Sequence, residues 1–297
     1  MIRQQVKIFG KQILLKTHAC NTVDGRGCEI APSVNLFVKV TKACNAHCLF
    51  CSNAGCRPPQ ESFSVSKLTE IVDELLNNEI SVNRINITGG EPSTVPHLVG
   101  EIIDGMSTDR FKSIHMHLNT NGLLPESQEL MRHPRWDSIS MSLHHYDIEK
   151  LSEIYACRIS EDAFRMEGIQ RWKLNASCNL IRGYIDNCRE AKKMMDFTLS
   201  LGIPRLGFVA LMKMNEYCRN HFIDLEDIHL DDIPRVHFTG SMNRGLNCKC
   251  SNYLYSEGLR ILEIYMRNYA NPEYCASSLV FDGEYLRQGF HNNNIIY

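Results

Sequence analysis

Between residues 34 and 213 the chain alternates short aliphatic runs with amphipathic stretches, and this rhythm constrains the fold more than any other feature. The runs are NLFVKV (35–40), RINIT (84–88), SIHMHLN (113–119), SISMSLHH (138–145), LNASCNLI (174–181) and RLGFVAL (205–211), each read as a strand. Between them, SVSKLTEIVDELLNN (64–78) sets Leu68, Ile71, Val72, Leu75 and Leu76 on one helical face. HLVGEIIDGM (97–106) is a second helix, and NCREAKKMMDFTLSLG (187–202) a later one, with Ala191, Met194, Met195 and Leu199 inward and a glycine stop. Strands separated by helices pair in parallel through right-handed crossovers. The expected fold is therefore α/β, a partial (β/α)6 TIM-like barrel with its chemistry on the loops that follow the strands. Residues 1–33, with a turn signal at Asp24-Gly25, read as an N-terminal extension or hairpin. Beyond 213 the rhythm breaks, and 214–297 read as a small module ending in two strands around Asp282-Gly283.

Thirteen of the 297 residues are cysteine. A disulfide framework suits small secreted chains, whereas this N-terminus offers only the short apolar run Ile13, Leu14, Leu15, and an odd count leaves one thiol over. The cytoplasm is the expected address, with no membrane span. A formal net charge of −2 gives no field for nucleic acid or an anionic membrane. Cysteines in such a chain read as ligands of a metal or cluster, with Cys20, Cys28, Cys56, Cys157, Cys178 and Cys188 as packing residues. Three of the thirteen stand out. Cys44, Cys48 and Cys51, in TKACNAHCLFCSNAGC (41–56), follow the first strand on one tight loop. Three thiolates there can hold three irons of a cubane whose full set is four cysteines, leaving one iron open to a chelating ligand. Zinc, bound by the same cysteines with His47 or Cys56, is the alternative.

CNAHCLFC, with Phe50 before its last cysteine, and GGEP (89–92), directly after the second strand, resemble the two hallmarks of the radical S-adenosylmethionine (SAM) enzymes. VTKAC, ITGGEPS, NTNG (119–122), SMSLHH, LNASCNLIRGYIDN (174–187) and GFVALMKMN (207–215) also recur in the order found in the GTP cyclase branch of molybdenum-cofactor synthesis. The resemblance implies a SAM-binding [4Fe–4S] cluster on Cys44, Cys48 and Cys51, and SAM itself. The backbone of Gly89, Gly90, Glu91 and Pro92 would meet the SAM amino group and Phe50 its adenine. Ser142 and the backbone of Met212 would contact SAM, and Thr120, Asn175 and Arg182 would line the cavity. Ser142 and Asn175 are otherwise inward strand residues satisfied by neighbours, and Met212 a core residue. His144 and His145, at the end of the fourth strand, read as acid, base, substrate contact or polar rim.

The cyclase pattern also breaks here. Its arginines before the first cysteine, before GGEP and ahead of the C-terminal hairpin are replaced by Ala43, Asn86 and the run Ala276, Ser277, Ser278, Leu279. Guanidinium groups suit phosphates, so a substrate other than GTP is expected. By the same resemblance the C-terminal module would be SPASM/twitch-like, with an auxiliary [4Fe–4S] cluster on Cys248, Cys250 and Cys275, and Cys218 or substrate as a fourth ligand; structural zinc or free thiols are the alternatives. The implied activity is reductive cleavage of SAM to a 5′-deoxyadenosyl radical, supplied with electrons by a donor such as flavodoxin or ferredoxin. The radical takes hydrogen from a nucleotide- or sugar-like small molecule, or from a ribosomally made peptide. A non-catalytic iron–sulfur or zinc-binding regulator is the reading from another class.

Overall fold

The computed structural model describes residues 2–17, 32–51, 62–241, 249–268, 278–290 and 294–297. An antiparallel hairpin of β1 (Ile2–Ile8) and β2 (Lys11–Thr17) forms a two-stranded sheet of its own. The alternation then runs β3 (Ser33–Lys39), α1 (Val65–Asn77), β4 (Ser81–Thr88), α2 (Pro96–Gly105), β5 (His115–Thr120), α3 (Pro125–Met131) and β6 (Ser138–Ser142). It continues through α4 (Ile148–Tyr155), β7 (Leu174–Leu180), α5 (Cys188–Ser200), β8 (Arg205–Ala210) and the short α6 (Glu216–Asn220). Five strands follow: β9 (Val236–Ser241), β10 (Ser251–Glu257), β11 (Arg260–Asn268), β12 (Ser278–Phe281) and β13 (Leu286–Gln288). The helices start where a side chain can take an orphan N–H: Ser64 accepts from Lys67 at α1, Asp147 from Glu149 and Lys150 at α4, and Asn187 from Glu190 at α5.

One sheet of eleven strands, in the order β13-β12-β3-β4-β5-β6-β7-β8-β11-β10-β9, carries everything after the hairpin. All six strands expected from the alternation are present, in sequence order and parallel. The sheet stays open, so the α/β fold is a partial barrel. The residues after 214 join this sheet at both sides, β11 pairing with β8 and β12 with β3, both in parallel. Without them β3 and β8 would present unpaired backbone edges. The hairpin docks through Ile8, Ile13 and Leu15, all buried, and through Phe9, whose ring stacks on Tyr297 at 3.9 Å.

Burial alternates along the strands and separates two faces. Val34, Leu36 and Val38 of β3, Ile85 and Ile87 of β4, Ile139 and Met141 of β6, and Leu206 and Phe208 of β8 are fully buried, with Leu68, Ile71, Val72 and Leu75 of α1 in the same core. Successive right-handed crossovers put the helices on that face. The opposite, inner face is polar: Asn35 beside Arg84, Asn86 beside His117, Ser140 beside Asn175, Ser142 beside Ser177. A barrel filled by its own side chains carries branched aliphatics there. This inner face is furnished for contact with something polar.

Candidate active site

The loop after β3 and the turn after β4 are clamped together by backbone. Gly90 N–H donates to Thr41 O and Glu91 N–H to Ala43 O, both at 2.7 Å. Such closeness leaves no room for a side chain. A Cβ on Gly90 would overlap the Ala43 carbonyl oxygen and lie 2.6 Å from its carbon and 2.8 Å from Lys42 O. At Gly89, where φ is +145°, a Cβ would overlap Thr41 O. The two glycines are therefore set by the approach of the cysteine loop.

Glu91 ties the clamp to the rest of the sheet. Its buried carboxylate accepts from Ser93 N–H (3.1 Å), Ser93 O–H (2.8 Å), Thr120 O–H (2.7 Å) and Asn121 N–H (2.7 Å). Burial pushes this carboxyl group up from its ordinary value, against the four donors that pull it down. Asn121 in turn donates to Asn45 Oδ1 within the cysteine loop at 2.7 Å. From the other side, His47 N–H donates to Tyr155 O at 2.8 Å, and the Tyr155 hydroxyl donates to Ser142 O at 2.7 Å. The C-terminal end of α4 thus links the loop to the end of β6.

Cys44, Cys48 and Cys51 are half-buried thiols rather than disulfides. Burial, then the neighbouring Cys51 and Cys44, push the Cys48 thiol strongly up. The Cys48 sulfur does not ionise unaided; a bound cationic centre is what makes a thiolate of it. Among the described residues no three His, Cys, Asp or Glu side chains converge as ligands of one ion. Cys44, Cys48 and Cys51 share the one loop after β3, and Cys51 and Cys44 both act on the Cys48 thiol. Lys39, at the end of β3, has its ammonium pKa lowered by burial, against the opposing pull of Asp282 and Cys51.

Phe50 packs its ring edge-on to His144 at 4.9 Å, in a cluster with Ile154, Ile181, Leu211 and Cys218. His144 and His145 do not form an open rim, because both are buried. His144 Nδ1 accepts from Asn179 N–H at 3.1 Å, and burial pushes its pKa down to about 3. His145 Nδ1 accepts from Asp147 N–H at 2.9 Å, just ahead of α4. Cys218 donates to Phe50 O at 3.6 Å, and Asn215 Nδ2 to Leu49 O at 2.9 Å, so α6 holds the cysteine loop from below. Cys178 is fully buried, as a packing residue should be.

The remaining expected site residues lie around this centre. Thr120 and Pro92 are buried beside Glu91, and Ser142 ends β6. Met212 is half-buried just past β8, its carbonyl accepting from Met214 N–H at 2.7 Å. Arg182 is exposed and donates to Phe222 O at 3.0 Å. Asn175 Nδ2 donates to Ser140 Oγ at 3.1 Å, while its buried Oδ1 has no partner. That orphaned acceptor on the inner face fits a polar ligand. Cys250 is buried, its sulfur accepting from Asn268 N–H at 3.3 Å; Cys248 and Cys275 lie outside the described residues. A shallow depression of about 200 Å³ lined by Lys192, Asp196, Leu199, Glu257 and Arg260 belongs to none of these groups.

A family model described as the radical SAM superfamily matches residues 38–204, more than half of the chain. The chain belongs to the radical SAM superfamily. Among curated radical SAM proteins, it is 26% identical over 284 residues to a probable GTP 3′,8-cyclase of Saccharolobus solfataricus, covering 89% of this chain and 85% of that one. A probable GTP 3′,8-cyclase of Sulfolobus acidocaldarius is 23% identical over 275 residues, covering 88% and 83%. Among solved structures, a radical SAM methyltransferase from Sphaerobacter thermophilus superposes with a TM-score of 0.51 at 15% identity, covering 66% of this chain and 60% of that one. SuiB of Streptococcus suis bound to S-adenosylmethionine gives 0.49 at 16% identity, and this chain spans 43% of its length. Radical SAM membership implies a [4Fe–4S] cluster and SAM. The thiol trio, the glycine clamp and the orphaned Asn175 oxygen fit both groups. No described helix is long and apolar enough to cross a membrane.

Proposed function

We propose that this radical SAM enzyme takes a small, polar molecule, nucleotide- or sugar-like, onto the inner face of its open barrel. Removal of one hydrogen atom then drives rearrangement, cyclisation or oxidation. The observation that carries the reading is the furnishing of that inner face. The asparagines and serines of β5, β6 and β7 line it, and the buried Asn175 Oδ1 among them is left without a partner. Neutral hydrogen-bonding side chains suit a hydroxyl- and amide-rich body. Likeness to probable GTP cyclases along most of the chain favours a small molecule over a peptide. GTP itself is disfavoured: Ala43 and Asn86 stand where the cyclases carry arginine, and the Asn86 amide donates to Leu36 O at 3.3 Å within the sheet.

The roles we assign follow from position. Cys44, Cys48 and Cys51 hold the cluster, and the Gly89–Pro92 turn presents backbone to the SAM amino group. Phe50, Thr120, Ser142, Asn175, Arg182 and Met212 surround the rest of SAM and the cavity. When bound, the cluster and SAM supply an electron and the hydrogen-abstracting 5′-deoxyadenosyl group. The protein orients both and keeps water from the inner face. Within the same proposal, 34–213 is the radical SAM barrel and 1–33 an extension. The 214–297 segment carries an auxiliary cluster on Cys248, Cys250 and Cys275. Cys250 lies against Asn268, the last residue of β11, whose parallel pairing with β8 brings it to the same end as the cysteine loop.

The test is 5′-deoxyadenosine release by anaerobically reconstituted protein with dithionite and SAM, across nucleoside phosphates, sugar phosphates and short peptides. Stimulation by a nucleotide- or sugar-like small molecule, with GTP inert, supports the reading. Stimulation by peptides alone would overturn it.

A further inference from the structure

We propose that His115, Ser138 and His117 form a proton relay between the N-terminal mouth of the barrel and its inner face. His115 and His117 sit two residues apart on β5 and so share a face, and the register of β5 with β6 sets Ser138 opposite His117. Ser138 Oγ lies 2.6 Å from His115 Nε2 and 2.7 Å from His117 Nδ1. A hydroxyl carries one proton, so it donates to one ring and accepts from the other. The two rings differ in access. His115, the first residue of β5, is half-buried at the end of the sheet away from the cysteine loop, whereas His117 is 5% exposed. With Nδ1 engaged by Ser138, His117 has Nε2 left for its hydrogen bond with the Asn119 side chain, one layer nearer the site.

The surrounding charges keep the chain neutral at rest. Burial lowers both imidazole pKa values, and Arg84 on β4 and Arg205 on β8 push the same way; Arg135 adds to this at His115, where Asp137 opposes it. Neutral rings with one N–H each are what a relay needs. A proton from water enters at His115 Nδ1, as His115 Nε2–H passes to Ser138 Oγ. The Ser138 hydroxyl proton passes to His117 Nδ1, and His117 Nε2–H leaves the Asn119 side chain and passes to an oxygen base on the inner face. One proton enters, one leaves and no electron moves. Both rings change tautomer, and passage in the opposite direction restores them. Use of the relay in turnover rests on the function proposed above; its existence does not.

The experiment follows exchange of the His117 ring N–H with solvent, by NMR of ¹⁵N-histidine-labelled, cluster-reconstituted protein without SAM or substrate. In Ser138→Ala the rate falls by roughly tenfold or more, leaving only opening of the sheet as a route, while Ser138→Thr stays within about twofold of wild type. His115→Gln, at the half-exposed end, lowers it as Ser138→Ala does. Unchanged exchange in either blocking variant at unchanged thermal stability overturns the relay, as does a fall in Ser138→Thr equal to that in Ser138→Ala. Absence of substrate-stimulated 5′-deoxyadenosine release from wild type would count against the proposed function alone.

Discussion

Gly90→Ala is the sharpest test of how the site is built. Its φ is unremarkable, so the penalty is steric: the new methyl overlaps the Ala43 carbonyl oxygen and lies 2.8 Å from Lys42 O. These are backbone atoms of the cysteine loop, with no rotamer to change. Relief requires the loop to move away, which breaks the 2.7 Å bonds from Gly90 N–H to Thr41 O and from Glu91 N–H to Ala43 O. Overpacking costs about 1–3 kcal/mol, and each broken buried bond about 1 kcal/mol or more, so a total of roughly 4 kcal/mol is expected. Urea unfolding of the reconstituted protein measures the loss, and iron content after reconstitution reports the displaced cysteines. Gly100→Ala is the control. Gly100 lies within α2 with nothing inside 4 Å of its added Cβ, and alanine there is expected to stabilise by about 0.5–1 kcal/mol. A Gly90→Ala protein within about 0.5 kcal/mol of wild type, with full iron, would refute the clamp.

Glu91→Gln sets an amide N–H₂ against at least one of the four donors now facing the carboxylate, and is expected to cost about 2–3 kcal/mol by urea unfolding. His144 favours its neutral form in the folded state, so its contribution to stability is complete above about pH 6.5 and drains away as pH falls towards about 3. Its ring ¹⁵N shifts should still report neutral imidazole at pH 5, and a midpoint near 6.5 would contradict the burial argument. Tyr155→Phe removes the 2.7 Å bond to Ser142 O, with an expected loss of about 1 kcal/mol and weaker SAM binding by equilibrium dialysis. Cys250→Ala is expected to lower reconstituted iron from about eight to about four per chain without abolishing SAM cleavage, and unchanged iron would contradict the auxiliary cluster.

Much of this was legible in the chain because the alternation of strand and helix is a local pattern with a global consequence. The six parallel strands and the helices at 65–77 and 188–200 stand within a few residues of their expected bounds. The C-terminal strands were harder. Leu262, Ile264 and Met266 alternate as a strand should, but nothing local says that this strand will pair with β8 rather than stand apart. Pairing is decided by the unsatisfied edges of β3 and β8. His144 and His145 mislead for a related reason: a histidine accepting a backbone N–H in the core and one waiting at an open rim have the same sequence signature. Lys39 and Tyr155 carried no motif, since their roles depend on distant partners. His115 and His117 do share a strand face by their spacing, but Ser138 joins them only through a register that the sequence leaves unstated.

The central claim is that the loop of Cys44, Cys48 and Cys51 supports reductive cleavage of SAM. Anaerobic reconstitution with iron and sulfide, followed by iron counting and 5′-deoxyadenosine release under dithionite, tests it on wild type and on the Cys44/Cys48/Cys51→Ala variant. The account predicts that the variant loses about four irons and all 5′-deoxyadenosine release while keeping its fold. Zinc in place of iron, or iron in wild type without 5′-deoxyadenosine release from SAM in the presence of any candidate substrate, would contradict it.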